Sequence, residues 1–168
     1  LIDTFFFDWD GTLNDSAQQS FEAFRKTFAA LGIVLEREKY EQVYTPDWYT
    51  MFAQLGLSKE RWADADELWM QFYDHNSARM MPGGREVLHK LEQKGYSTGI
   101  VSSGSRARIE REIEVFGLRE VFQVVICGED VVNKKPHPEG LVLAMERAKK
   151  NPNTCCYVGD CPQDVEMG

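Results

Sequence analysis

The sequence predicts an α/β protein with a mostly parallel sheet, helices on both faces and a separate all-helical insert. Three observations carry this. The chain opens on an apolar run that ends in Phe5, Phe6 and Phe7, as expected of a strand buried on both faces. Residues 16–80 show only helical periodicity. From Gly84 onward, helical and strand patterns alternate, the signature of βα units and a parallel sheet.

The first strand ends in Asp8-Trp9-Asp10-Gly11-Thr12. Side chains two apart on a strand share a face, so Asp8 and Asp10 can converge on one ligand, and Gly11 lets the backbone turn at once. Two carboxylates that close repel, share a proton or hold a divalent cation. With a hard cation such as magnesium both stay ionised, and one can act as a nucleophile.

In the insert, Phe21, Phe24, Phe28 and Leu31 mark one helix, closed by Gly32. A second runs over 37–44. A third follows Pro46 and Asp47 through Trp48, Met51, Phe52 and Leu55, and a fourth spans Trp62, Leu68, Trp69, Phe72 and Tyr73 before Pro82-Gly83-Gly84. Trp48, Trp62 and Trp69 are expected in the core of the insert, and its cations, among them Arg25, Arg37 and Arg61, on its solvated face.

Beyond Gly84, Val87, Leu88 and Leu91 predict a helix capped by Gly95, and 96–101 a strand that runs into Ser102-Ser103-Gly104. Ser105 can cap the next helix, whose inner face is Ile109, Ile113 and Phe116. Residues 121–126 are expected as a strand, followed by a loop with Lys134-Lys135-Pro136 and a helix through Leu141, Met145 and Ala148. A last strand over 154–158 ends at Gly159-Asp160, with Asp164 one turn on.

Each strand therefore hands over to polar residues, and in a parallel sheet these lie along one edge, where ligands bind. Singly, each has a plain structural reading: Ser102 as a turn element, Lys135 as a solvated lysine, Asp160 and Asp164 as helix N-terminal acids. Their shared position after strands joins them into one set of carboxylates, hydroxyl and lysine.

Nineteen Lys and Arg against 27 Asp and Glu give a net charge of −8, which argues against nucleic acid or an anionic membrane as partner. No apolar stretch approaches the ~18–20 residues of a membrane span and no signal-peptide pattern opens the chain, so a cytoplasmic protein is expected. Cys127, Cys155, Cys156 and Cys161 lack the spacing of a zinc site and read as reduced thiols, with Cys161 beside an acidic loop.

With these motifs in order, the chain resembles the haloacid dehalogenase-like hydrolases, and its helical insert is similar to the cap of phosphoglycolate phosphatase-like and β-phosphoglucomutase-like members. The resemblance implies a Rossmann-like core of residues 1–15 and 81–168 and a small helical cap over 16–80 that closes on small substrates. It implies Asp8 as nucleophile, forming an aspartyl-phosphate, and Asp10 as general acid/base. Magnesium would be held by Asp8, the backbone carbonyl of Asp10 and Asp160, with Asp164 in support. Ser102, with Ser103, would bind the phosphoryl group, and Lys135 would offset its charge. The acid at position 10 favours phosphate esters over carbon–halogen or carbon–phosphorus bonds. The expected activity is a magnesium-dependent phosphatase acting on a small phosphorylated metabolite. A phosphosugar mutase and a non-catalytic binder of phosphorylated ligands are the alternatives. The chain starts at Leu1 rather than Met and stops at Gly168, whereas the family pattern continues with another strand, so the sequence is expected to be a piece of a longer protein.

Overall fold

A computed structural model describes residues 1–168. The chain forms two compact units, Leu1–Asp15 with Ala78–Gly168, and Ser16–Ser77.

The first unit holds β1 (Thr4–Phe7), α5 (Gly84–Gln93), β2 (Ser97–Val101), α6 (Arg106–Val115), β3 (Val124–Ile126), α7 (Glu139–Ala148), β4 (Cys155–Val158) and α8 (Pro162–Met167). The helices α1 (Ala17–Ala30), α2 (Arg37–Val43), α3 (Trp48–Gln54) and α4 (Trp62–Phe72) belong to the second. No helix is long and apolar enough to cross a membrane.

The four strands are parallel in the order β3-β2-β1-β4, so β1 lies inside the sheet between β2 and β4. This is the α/β architecture that the alternating pattern predicts, and the side-chain period of two divides its core. On one face Phe7 and Ile100 pack with Leu88 of α5 and Ile109 and Ile113 of α6. On the other, Phe6, Val101 and Ile126 pack with Leu141, Ala144 and Ala148 of α7 and Met167 of α8. Phe6 lies opposite Gly99 in the register, and a Cβ on Gly99 would sit 2.8 Å from the Phe6 ring and 2.9 Å from Val124. The missing side chain of Gly99 is what admits the ring.

Two boundaries differ from expectation. The strand expected over 121–126 begins only at Val124, because the Val121 N–H turns back to the Leu118 carbonyl while the Val121 carbonyl accepts from Thr98 Oγ1. The helical stretch ends at a 3-10 turn over His75–Ser77, and Met80 pairs antiparallel with Asn14. Backbone hydrogen bonds to Asp15 and Leu13 draw the segment after Ser77 onto the end of the β1 loop.

The helical unit has its own core, in which Phe21, Phe24 and Phe28 of α1 meet Trp69 of α4 and Met51 and Phe52 of α3. Trp69 is fully buried, with Trp48 at 4.5 Å between ring centroids, and Trp62 packs partly buried against the cluster. Arg25 and Arg37 pair with Glu22 and Glu41 on the surface, as the sequence suggests. All four cysteines are free thiols, Cys127 buried and the others partly so.

Candidate active site

The centre begins where β1 ends. The Asp8 N–H extends the ladder by donating to the Val158 carbonyl at 2.8 Å, which fixes the side chain at the end of the sheet. Its side chain is 11% exposed and its carboxylate lies 2.6 Å from the Lys135 ammonium. Lys135 reaches it from the loop between β3 and α7, is itself buried, and also meets Asp164 Oδ1 at 2.8 Å. One ammonium thus serves two carboxylates. Burial pushes the Asp8 carboxyl up to about 7, against the pull of Lys135. Burial alone would lower the lysine, but Asp8 and Asp164 outweigh it and hold the ammonium above its usual range.

After Asp8 the chain turns sharply. The N–H groups of Leu13 and Asn14 donate to the Trp9 carbonyl, Gly11 N–H donates to Asn14, and Gly11 adopts φ +79°. The Asp160 carboxylate lies over this turn: a Cβ on Gly11 would fall 2.3 Å from Asp160 Oδ2, and Thr12 Oγ1 donates to Asp160 Oδ1 at 3.3 Å. Glycine at position 11 serves both the left-handed backbone and the close approach of Asp160.

Asp164 plays an internal part. Its Oδ1 accepts from Lys135 and from the Tyr157 hydroxyl at 3.1 Å, and its Oδ2 from the N–H groups of Asp160 and Cys161 and from Cys161 Sγ at 3.0 Å. Although burial opposes it, these donors, led by Lys135, hold its carboxyl below the usual carboxylate range. Asp164 therefore also caps α8, so the plain helix-terminal reading of this acid holds alongside its place in the cluster.

Ser102 follows β2, the neighbour of β1. Its Oγ accepts from Gly104 N–H at 3.1 Å, which leaves the hydroxyl proton to be donated elsewhere. Ser103 lies in the same turn, its Oγ buried and without a hydrogen-bond partner. Asp10 faces another cation: Arg108 of α6 grips it with Nη1 to Oδ1 at 2.9 Å and Nη2 to Oδ2 at 2.5 Å.

Arg108, Glu112, Asn14 and Tyr157 join the site only in three dimensions, together with the Trp9 side chain of the first motif. Glu112 Oε2 accepts from Trp9 Nε1 at 2.6 Å, Asn14 Nδ2 at 3.1 Å and Arg108 Nη1 at 3.1 Å, all buried. A usable signal existed. Arg108 and Glu112 stand four apart in phase with Ile109, Ile113 and Phe116, where a solvated charge pair has no place.

Carboxylates outnumber cations here, and burial together with Asp164 raises the Asp160 carboxyl. Hard oxygen donors carrying uncompensated charge suit a hard divalent cation such as magnesium. Asp160, Cys161 and Asp164 bring ligand atoms within 4.8 Å of one another, though the thiol is a poor partner for such an ion.

A parallel α/β sheet with a carboxylate-rich centre at the carboxyl ends of its strands defines an enzyme of the ligand-at-the-edge type. The chain belongs to the haloacid dehalogenase-like hydrolase family, whose model matches residues 5–168. Pyrophosphatase PpaX of Oceanobacillus iheyensis is 28% identical over 99% of this chain and 78% of its own. A solved Bacteroides fragilis structure assigned to the same hydrolase class superposes with a TM-score of 0.91 at 26% identity, covering 99% of this chain and 82% of its own. The fold is also shared by β-phosphoglucomutase from Clostridium difficile, with a TM-score of 0.83 at 21% identity over 99% of this chain and 80% of that one.

Proposed function

We propose that the protein is a magnesium-dependent phosphatase that hydrolyses a small phosphomonoester through an aspartyl-phosphate on Asp8, with the helical insert as its cap domain. The observation that carries this is the buried Asp8 carboxylate, 2.6 Å from Lys135 at the end of the central β1. A nucleophile placed there meets an entering phosphoryl group with a cation already beside it.

In the first step an Asp8 oxygen attacks phosphorus, the bond to the leaving oxygen breaks, and Asp10 gives that oxygen a proton. In the second, water attacks the aspartyl-phosphate, Asp10 takes a proton back, and phosphate and free Asp8 are released. Lys135 offsets the charge gathered on Asp8 and the phosphoryl oxygens, and the Ser102 hydroxyl donates to one of them. Ser103 shares that loop, its buried hydroxyl without a hydrogen-bond partner, and is the second phosphate-binding residue of this reading. Held by Asp8, the Asp10 carbonyl and Asp160, with Asp164 as their support, magnesium would supply charge neutralisation and keep Asp8 ionised.

The name of the Oceanobacillus relative adds pyrophosphate to the substrates worth testing. The test is phosphate release from a panel of phosphoglycolate, hexose phosphates and pyrophosphate, with magnesium and with EDTA, for the wild type and Asp8→Asn. Release that needs both metal and Asp8 is expected. Turnover surviving in EDTA or in Asp8→Asn refutes the proposal, and phosphate reappearing on another hydroxyl marks a mutase.

A further inference from the structure

We propose that Arg108 is the positioning residue for Asp10: anchored by Glu112, it fixes the Asp10 carboxylate in the orientation from which a proton passes to the leaving group. The inference rests on the reading of Asp10 as general acid/base.

The guanidinium is 2% exposed and Glu112 is fully buried, whereas Asp10 keeps a quarter of its side chain open. Asp10 thus stands between the buried cation and solvent. A planar fork that meets both carboxylate oxygens fixes the plane of the carboxylate as well as its position. An ionised carboxylate offers about four lone-pair sites, of which the fork uses two, one on each oxygen.

The surroundings are shaped for this grip. A Cβ on Gly104 would lie 2.5 Å from Arg108 Nη2 and 3.3 Å from Ser102 Oγ, so glycine is what lets the guanidinium enter beside the Ser102 turn. Behind it, Trp9, Asn14 and Arg108 all converge on one oxygen of Glu112, while Oε1 is buried without a hydrogen-bond partner. Buried ion pairs are poor sources of stability compared with apolar packing, and an unpartnered oxygen makes this one poorer. Its evident product is orientation. The two acids of the β1 loop are also given separate cations, Lys135 for Asp8 and Arg108 for Asp10, so neither competes for the other's partner.

The test compares kcat/KM on an alkyl phosphate hydrolysed by the enzyme with that on 4-nitrophenyl phosphate, whose leaving group hardly needs a proton. Arg108→Lys keeps the charge and loses the fork. The double variant Arg108→Met/Glu112→Gln removes both buried charges together and guards against misfolding of the first. Asp10→Asn is the reference, expected to lose on the order of a hundredfold or more on the alkyl phosphate and far less on the nitrophenyl ester. The Arg108 variants are expected to lose at least about tenfold more on the alkyl phosphate than on the nitrophenyl ester. Equal losses on both substrates, alongside a selective loss in Asp10→Asn, overturn the positioning role alone. Equal losses in Asp10→Asn overturn the reading of Asp10, and the inference with it.

Discussion

Replacing Asp8 by Asn removes a carboxylate without changing the shape of the side chain, and its effect on stability should depend on pH. Burial raises this carboxyl from 3.8 to about 7 in the folded state. Between those values the folded protein holds a proton that the unfolded chain has released. Wild-type stability therefore falls as pH rises, by about 1.4 kcal/mol per pH unit across that window. From about pH 5.5 to pH 8 the loss amounts to ~2 kcal/mol, because it ceases once pH passes the folded value. Asn has no proton to lose. Urea unfolding in EDTA at both pH values should thus show the variant gaining ~2 kcal/mol on the wild type between the lower and the higher pH. Magnesium should narrow that gap by compensating the ionised Asp8. Parallel pH dependences in EDTA would refute the reasoning and mean that Lys135 fully offsets the cost of burying Asp8.

Gly11→Ala should cost ~1–2 kcal/mol from its left-handed backbone alone. It should also weaken magnesium binding at least about tenfold by displacing Asp160, as read by calorimetric titration, and affinity within twofold of wild type would contradict Asp160 as a ligand. Gly99→Ala should destabilise by ~1–3 kcal/mol, because its methyl group collides with Phe6 and Val124. A change under ~0.5 kcal/mol in urea unfolding would show that the sheet yields there.

Much of the fold was legible because period and punctuation agree. The phenylalanine run, the glycines after helices and the polar residue after each strand all point to one parallel sheet. Asp8, Asp10, Ser102, Asp160 and Asp164 could be singled out for the same reason, since each follows a strand or stands a turn beyond one, and Lys135 lies in the loop that the third strand leads into. Arg108 and Glu112 escaped because charged residues on a helix usually face water, and only their phase with Ile109 and Ile113 betrays the burial. Their partners, Asp10 for Arg108 and Trp9 and Asn14 for Glu112, are about a hundred residues away, beyond the reach of local pattern. The late start of β3 was hidden as well, because Val121 and Phe122 are as apolar as the strand that follows and only the turn at Leu118 separates them.

The interior place of β1 has a consequence for how the protein comes into being. Asp8 leaves the ribosome ahead of Val158, whose carbonyl receives its N–H, and of Asp160, which follow about 150 residues later. At ~5–20 residues per second that is a wait of roughly 8–30 s, during which the phenylalanines of β1 lack one of their two neighbours. A growing chain therefore carries Asp8 without the strand that completes its surroundings. Asp8 and Asp160 come together only once β4 docks, and the same interval is when β1 most needs shelter from aggregation.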